Sequence, residues 1–560
     1  MRDTVFLDER RLLAGPWQAF ERDVARALIA AGFADVRIIG GSGDRGGDVL
    51  AVKDGKIWVV QCKHTTLSSP AKEAVTEVVA AGRFYEADRM VVACSRLPGP
   101  AFIQERERQA RLDIKVDVLG PPELRALLNK VPEYAPVRRE LREYQRDAVA
   151  KFREALVDVG RGQVVLATGL GKTVVMAELV ADLYRDGLIP GNRILVLADK
   201  RELIKQLVIG FWNQLPKWVP THVLSGDEEP SFWDGITFAT VQSIASRKDK
   251  LPSFGLILVD EAHHIGAPTF LEAIEAIAPP MLGGVTATPW RGDDVDIDQI
   301  LGQPLVRIGI AEGLRKKFLS EVDYRLLADN IDWSIVQERS HHRYSLGQLN
   351  KRLIIPTRDD EAARQVAEVF KNEGRRGGII FSSGIEHAQQ FAGRLRAYGL
   401  RAEAISSYQD ARERDKLMAR FRKGEIDIMT SVDLFNEGVD VPDVDLVAFM
   451  RVTHSRRIFI QQIGRGLRTS PKKDKVIVLD FVSDLRRLAE VVELEKAAKG
   501  GDLEQLPMGS NIVRFREASA GSFMVEWLKD QADLMLREGD SNLEIPMFDF
   551  PDVPQPGSVQ

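Results

Sequence analysis

Cysteine is scarce in this 560-residue chain. Cys62 and Cys94 are the only two, too few for a disulfide framework or a cysteine-rich zinc domain, and their scarcity fits a reducing compartment, so a cytoplasmic location is expected. Long apolar runs are also missing. No stretch of about 18 apolar residues occurs, and acids interrupt the opening segment MRDTVFLDERRLL where a signal peptide needs an unbroken apolar core; neither secretion nor a membrane association is expected. Nor is there a surplus of positive charge, since 77 Lys+Arg stand against 82 Asp+Glu, giving a net of −5 and a pI near 6.0. A global basic bias often marks nucleic-acid binders, but here the charge is unevenly placed. Residues 500–560 hold eleven acids and four bases, a net of −7, which leaves about +2 for everything before them. An acidic tail therefore masks a near-neutral body. A hydrophobic fraction of 44% and a charged fraction of 28% exclude wholesale disorder and rod-like folds. At roughly 150 residues per domain, the length implies three or four domains.

Helical spacing of Phe20, Val24, Ala27, Leu28 and Ala31 predicts a first helix over 17–33, with Gly32 able to end it. After a glycine-rich turn, DVLAV and IWVVQCK predict a hairpin turning at Asp54-Gly55. A helix over 70–85, the strand RMVVAC, a helix over 100–110 and the strand IKVDVL complete one α/β unit. The two prolines of VPEYAPVRR mark a linker. Beyond it, VVLAT, ILVLA, ITFAT, LILVD and GVTAT alternate with amphipathic helices, and a second set (GGIIFSS, RAEAIS, IDIMTS, LVAFM, VIVLD) repeats the pattern. That alternation predicts two parallel-sheet lobes in tandem. The expected class is α/β, with domains at 1–132, 141–305 and 306–490, a linker at 133–140, and a partly disordered acidic extension over 491–560.

The run VVLATGLGKTVVMAEL has the form of a phosphate cradle between a strand and a helix. Thr168, Gly169 and Gly171 lie in its loop, where glycines let backbone N–H groups face an anion; Lys172 is placed to reach the β/γ-phosphates and Thr173 to ligate Mg²⁺. Leu166 stands where the strict pattern has glycine. LILVDEAHH delivers Asp260 and Glu261 at the carboxyl end of a buried strand, the place for Mg²⁺ binding through water and for polarising an attacking water.

With those motifs in place, residues 141 to about 488 resemble a superfamily 2 helicase core, in its restriction-enzyme motor and RadD-like branch. LREYQ resembles the adenine-reading motif with Gln145 in its key position; LADKREL, ATVQS, VDEAHH, TATP, IIFSS, TSVDLFNEGVDVP and QQIGRGLR follow in the family's order. The resemblance implies ATP as cofactor, with Asp440 among the nucleotide-site residues. It implies that Arg465 and Arg468 meet the γ-phosphate when the lobes close, and that DNA is gripped through its phosphates, with Thr240, Gln242, Ser382 and Thr430 as candidate contacts.

In the front unit, Gly41, Gly43 and Gly46 mimic a dinucleotide fingerprint, but a strand follows them instead of a helix. A different set carries more chemistry. Asp48 lies on the first hairpin strand, and alternation puts Gln61 and Lys63 on one face of the second. An acid, an oxygen ligand and a lysine there can bind Mg²⁺, with Mn²⁺ as a second candidate, and position water against a phosphodiester; Glu21 on the preceding helix completes the shell. FERDVARALIAAGF, SGDRGGDVL and VVQCKH resemble the Mrr-type branch of PD-(D/E)xK nucleases over about residues 16–128. Gln61 replaces the usual acid, which removes one negative charge from the metal shell. The pairs His263-His264 and His341-His342 lack the company of a zinc site.

The expectation is an ATP-dependent DNA helicase or translocase fused to a metal-dependent endonuclease, in restriction, phage defence or repair, with a recognition or modification-sensing protein as a candidate partner. Two alternatives stay open: a repair helicase whose front domain docks on DNA without cutting, and an RNA helicase with a protein-binding module.

Overall fold

The computed structural model describes residues 6–39, 46–247, 250–287, 297–326, 330–331, 343–344, 354–355, 359–432, 444–450, 473, 475–481 and 548–549. They build three main sheets. The first has the order β1 (Ala34–Ile38), β2 (Val49–Lys53), β3 (Lys56–Lys63), β4 (Arg89–Cys94), β5 (Val116–Leu119). β2 and β3 form the expected hairpin. Lys53 pairs with Lys56, and Asp54 and Gly55 take φ of 51° and 73°, the mirror-image turn that matches the twist of antiparallel strands. Next come two parallel neighbours, β3 with β4 and β4 with β5. β1 is not expected from the sequence, because its exposed ends give no clean alternation; pairing with β2 decides its conformation.

Two N-terminal helices, α1 (Glu9–Leu13) and α2 (Trp17–Ala30), precede this sheet. On one of its faces Val59, Val92 and Cys94 pack with Val75 and Val78 of α3 (Glu73–Phe84) and Phe102 of α4 (Pro100–Arg111). On the other face Phe33, just past α2, meets Trp58 edge to face at 5.1 Å, and Phe20 of α2 lies 5.8 Å from His64. Each such fully buried apolar side chain contributes about 1.5–3 kcal/mol. Both cysteines are buried thiols. Burial pushes Cys94 up to about 12 and Cys62 well above its ordinary value, so neither is a nucleophile near neutral pH.

The second sheet has the order β12 (Pro304–Ile308), β6 (Arg161–Leu166), β11 (Met281–Thr286), β10 (Leu256–Asp260), β7 (Arg193–Ala198), β9 (Gly235–Thr240), β8 (Thr221–Leu224). From β6 to β8 every pairing is parallel. Because β6, β11 and β10 are neighbours, their carboxyl ends bring the loop after β6, Thr286 and Asp260 to one edge, which is where open parallel sheets bind ligands. Around this sheet lie α6 (Glu143–Asp158), α7 (Lys172–Arg185) and α8 (Arg201–Trp212), after α5 (Pro121–Lys130) has closed the front unit.

The third sheet consists of six parallel strands in the order Glu321–Leu326, Lys475–Asp480, Leu446–Phe449, Gly378–Phe381, Ile428–Ser431, Ala402–Ile405. Five coincide with the second set of expected strands. Phe370, Phe391 and Leu395 of the helices Asp359–Asn372 and Ile385–Ala397 cover it. The fold is thus the expected α/β arrangement, a front domain followed by two parallel-sheet lobes. By compactness the chain divides into Met1–Leu166 with Gly171–Arg307, and Ala167–Leu170 with Ile308–Gln560. Of the acidic extension, Phe548–Asp549 are described, paired antiparallel with Arg343–Tyr344. Among the described residues no helix is long and apolar enough to cross a membrane.

Candidate functional site

At the edge of the second sheet, Gly169 and Gly171 take φ of 92° and 85°, a region closed to most side chains, so the loop needs glycine at both. Gly171 is needed twice over. A Cβ there would stand 2.5 Å from Nε2 of Gln145, whose Oε1 accepts from the Arg142 N–H at 2.9 Å at the start of α6. Gln145 is thereby pinned against the loop. Thr173 fits in the same way: a Cβ on Gly210 of α8 would stand 2.7 Å from its Cγ2. Lys172 opens α7 and donates to Glu261 Oε1 at 2.9 Å.

Asp260 ends β10 and is buried. Glu261 follows it with φ 51°, an uncommon conformation for a non-glycine residue and one that clusters at functional sites. His263, fully buried, places Nδ1 2.9 Å from Thr286 Oγ1 and 3.2 Å from Glu261 Oε2. The two acids are set apart electrostatically. Burial, then the charge of Glu261, raises the Asp260 carboxyl. Burial would raise Glu261 as well, but the Lys172 ammonium and the His263 ring outweigh it and hold that carboxyl well below the ordinary range. The sequence pattern gives His263 no role as a metal ligand and is silent on its link from Glu261 to Thr286, because nothing in spacing shows that β10 and β11 are neighbours. Thr173 and Asp260 fit Mg²⁺, since a hydroxyl and a buried carboxylate at the mouth of a phosphate loop are its usual oxygen donors.

The candidate strand contacts differ in availability. Gln242 is exposed. Thr240 caps the short helix Val241–Ala245, with Oγ1 2.9 Å from Ser243 Oγ. Thr430 donates to Ala388 O at 2.7 Å and is fully buried. Ser382 is also fully buried; its N–H donates to Ser431 O at 2.7 Å while its hydroxyl has no partner among the described residues. Asp440, Arg465 and Arg468 lie outside the described residues, as does Thr288-Pro289 of the TATP motif.

In the first sheet, the register that pairs Val49 with Val60 sets Asp48 opposite Gln61. Both are buried, at 1% and 3% exposed. Gly46 and Gly47 lead into Asp48 pressed against α3: a Cβ on Gly46 would stand 2.3 Å from Glu77 Cβ, and one on Gly47 3.1 Å from Ala81 Cβ. The Asp48 carboxylate accepts from the Cys62 N–H at 2.6 Å. Among the described residues Gln61 Oε1 is buried without a hydrogen-bond partner, a costly state that a cation ligand relieves. Glu21 of α2 is buried too, and after burial itself it is the charges of Asp48 and then Glu21 that raise the Cys62 thiol. Lys63 reaches Glu77 Oε2 at 2.6 Å, a partner that sequence spacing does not suggest. Among the described residues no three His, Cys, Asp or Glu side chains form a metal cluster; a divalent ion here would rest on Asp48, Glu21 and the orphaned Gln61 oxygen.

Family models match the front domain and both lobes. Residues 12–115 match the restriction endonuclease model of Mrr type, 138–291 the model for the res subunit of type III restriction enzymes, and 361–470 the helicase conserved C-terminal domain. The chain joins a superfamily 2 helicase core to an Mrr-type endonuclease domain. Its helicase core is 27% identical over 381 residues to the DNA 3'-5' translocase XPB2 of Sulfurisphaera tokodaii, covering 61% of this chain and 80% of that one. It is 24% identical over 407 residues to the type I restriction enzyme EcoKI endonuclease subunit of Escherichia coli, covering 60% and 34%. The solved ATP-dependent type ISP restriction-modification enzyme LlaBIII bound to DNA shares the fold, with a TM-score of 0.51 at 16% identity over 92% of this chain and 42% of that one. The chain spans between 52% and 63% of the length of the first curated relatives it matches.

Proposed function

We propose that the protein is an ATP-driven DNA translocase or helicase whose endonuclease domain cuts DNA with a divalent metal, in restriction, phage defence or repair. In the ATPase reading, Gln145 reads adenine, and the loop 168–171 with Lys172 cradles the phosphates. Lys172 is engaged with Glu261. A γ-phosphate would compete for Lys172, and with that ammonium turned to the phosphate the Glu261 carboxylate would be free to take the proton of the attacking water, with His263 beside it. Magnesium would be held by Thr173 and Asp260 and would supply charge neutralisation.

The observation that carries the nuclease half is the buried oxygen of Gln61 opposite Asp48, partnerless among the described residues. A front domain that merely docks on DNA has no need for that arrangement. Asp48 and Gln61 would hold the ion, which would supply Lewis acidity, and Lys63 would orient the water and stabilise charge on the scissile phosphate. DNA is favoured over RNA because the XPB2 relative is a DNA translocase and LlaBIII is a restriction-modification enzyme bound to DNA. The deciding experiment is cleavage of long and short duplexes with Mg²⁺ or Mn²⁺, with and without ATP. Wild type is expected to cut and Lys63→Ala to be silent; equal cleavage by the two removes the nuclease assignment.

A further inference from the structure

The two chemistries meet on one helix. α2 turns its Glu21, Val24 and Leu28 stripe into the endonuclease domain, all buried, at the i, i+3, i+7 spacing of one helical face. Its Arg22 and Arg26, four residues apart and hence on another common face, reach the helicase core. Arg22 forms a two-pronged pair with Glu228, which is 7% exposed, one contact measuring 2.7 Å. Arg26, 3% exposed, donates to Val219 O at 2.7 Å and Pro216 O at 3.1 Å, and its guanidinium lies 4.2 Å from the Phe6 ring centre. α1 extends the seat: Arg11 pairs with Asp234 at 2.6 Å and stacks over Phe232. A fork-to-carboxylate pair at low exposure and a buried guanidinium bound to two carbonyls fix orientation far better than exposed lysine pairs do.

The chain between the domains is seated as well. Arg138 grips Glu178 of α7 at 2.8 Å, Gln214 donates to the same carboxylate at 2.8 Å, and Arg185 of α7 donates to the Tyr134 hydroxyl at 2.8 Å. α7 is the helix that Lys172 opens. The endonuclease domain is therefore fastened to the ATP-binding lobe at both of its ends, by α1 and α2 at the start and by residues 134–138 at the finish.

We propose that α2 is a strut: seating Arg22 and Arg26 on the lobe holds Glu21 in the metal shell of the nuclease site, so that site is complete only while the endonuclease domain sits on the motor. Adjacent residues on a rigid helix cannot move independently, so a shift of Arg22 is a shift of Glu21. Arg22, Arg26 and Glu228 are positioning residues that touch neither metal nor DNA. This inference rests on the metal-site reading given above and adds that the motor controls it.

The test is Mn²⁺ binding to the nucleotide-free full chain, followed by electron paramagnetic resonance, with Asp48→Ala as the blank for this site. Arg22→Glu and Glu228→Arg are each expected to weaken Mn²⁺ about tenfold or more, the size of effect seen when groups that orient metal ligands are lost. The double variant, which restores the pair with its charges exchanged, recovers to within about threefold, and DNA-stimulated ATPase stays within about twofold throughout. Recovery separates positioning from simple loss of fold. Glu228→Gln, close in size and lacking only the charge, is expected to weaken Mn²⁺ about threefold. Unchanged Mn²⁺ affinity in the variants, beside a wild type that binds, overturns the strut alone, as does a double variant no better than the singles. A wild type binding no more Mn²⁺ than Asp48→Ala overturns the metal-site reading and the strut with it. A wild type that binds Mn²⁺ but never cuts sinks the nuclease reading, and the affinities still judge the strut.

Discussion

The acids at the edge of the second sheet and those around the hairpin of the first are each matched with a lysine, yet the lysines sit differently. In the first lobe Lys172 holds Glu261 Oε1, and His263 Nδ1 lies 3.2 Å from Glu261 Oε2 and 2.9 Å from Thr286 Oγ1. At the hairpin Lys63 holds Glu77 of α3, the Asp48 carboxylate is bound by the Cys62 N–H, and Gln61 Oε1 has no hydrogen-bond partner among the described residues. On the proposed function the difference lies in what a ligand meets: a nucleotide competes for the lysine that holds the proposed base, whereas a divalent ion adds a partner to the Gln61 oxygen.

The sharpest way to break this comparison is Lys172→Ala. It removes a cation from the transferring phosphate and should lower DNA-stimulated ATP hydrolysis about a thousandfold, with cleavage of short duplexes unchanged; phosphate-release assays that find undiminished turnover would falsify the cradle. Glu261→Gln should keep nucleotide binding, measured with a fluorescent analogue, and lose about a hundredfold or more in turnover. Weak binding with normal turnover would contradict its role as base.

On the hairpin side, Lys63→Ala should reduce cleavage about a hundredfold while ATPase stays within about twofold, read on the same preparations. It is the cleaner probe. Asp48→Ala strands the Cys62 N–H and should also cost about 1–3 kcal/mol of stability. Gln61→Glu sharpens the contrast in the other direction, because a second carboxylate adds charge where the orphaned oxygen lies. The Mn²⁺ concentration for half-maximal cleavage should fall about tenfold, and a rise would show that this oxygen does not face the ion.

The smallest effect concerns the seat between the regions. Burial pushes Asp23 up to about 7 even though Arg22, Arg26 and Arg11 pull it down. A carboxyl with its folded pKa raised above its ordinary 3.8 costs stability when it ionises, a cost that grows above pH 4 and is complete above pH 7. Asp23→Asn should therefore raise Tm by about 2 °C at pH 8 and leave it unchanged at pH 4. A gain at the lower pH instead would reverse the sign of this argument.

Much of the molecule is legible in the order of its residues. Strands with both faces buried announce themselves as short apolar runs, and for that reason the five central strands of the first lobe, the four central strands of the second, the hairpin and its Asp54-Gly55 turn are all visible there. Edge strands divide. β5 and Ala402–Ile405 are legible, whereas β1, β8, β12 and Glu321–Leu326 are not, and their pairing partners hold them. Among the site residues, the motifs name Lys172, Asp260, Glu261, Asp48, Gln61 and Lys63. They are silent on the contact of His263 with Thr286, and on Glu77 and Gly210, which matter through partners 23, 14 and 37 positions away.

By itself the sequence determined which chemistry is proposed: a phosphate loop needs glycines at defined spacing before Lys-Thr, and a nuclease hairpin of this type needs its acid and lysine at defined strand positions, so local order is enough to suggest both. Tertiary structure decided what those groups face. Whether Thr430 is available to a DNA strand or bonded to Ala388 O, whether Gln61 is satisfied, and whether the two active regions are tied by a loose linker or by a helix with two seated arginines depend on contacts between distant segments. Hydrogen bonds and ion pairs are set by distance in space, and no local pattern encodes that Arg22 and Glu228, 206 residues apart, will meet.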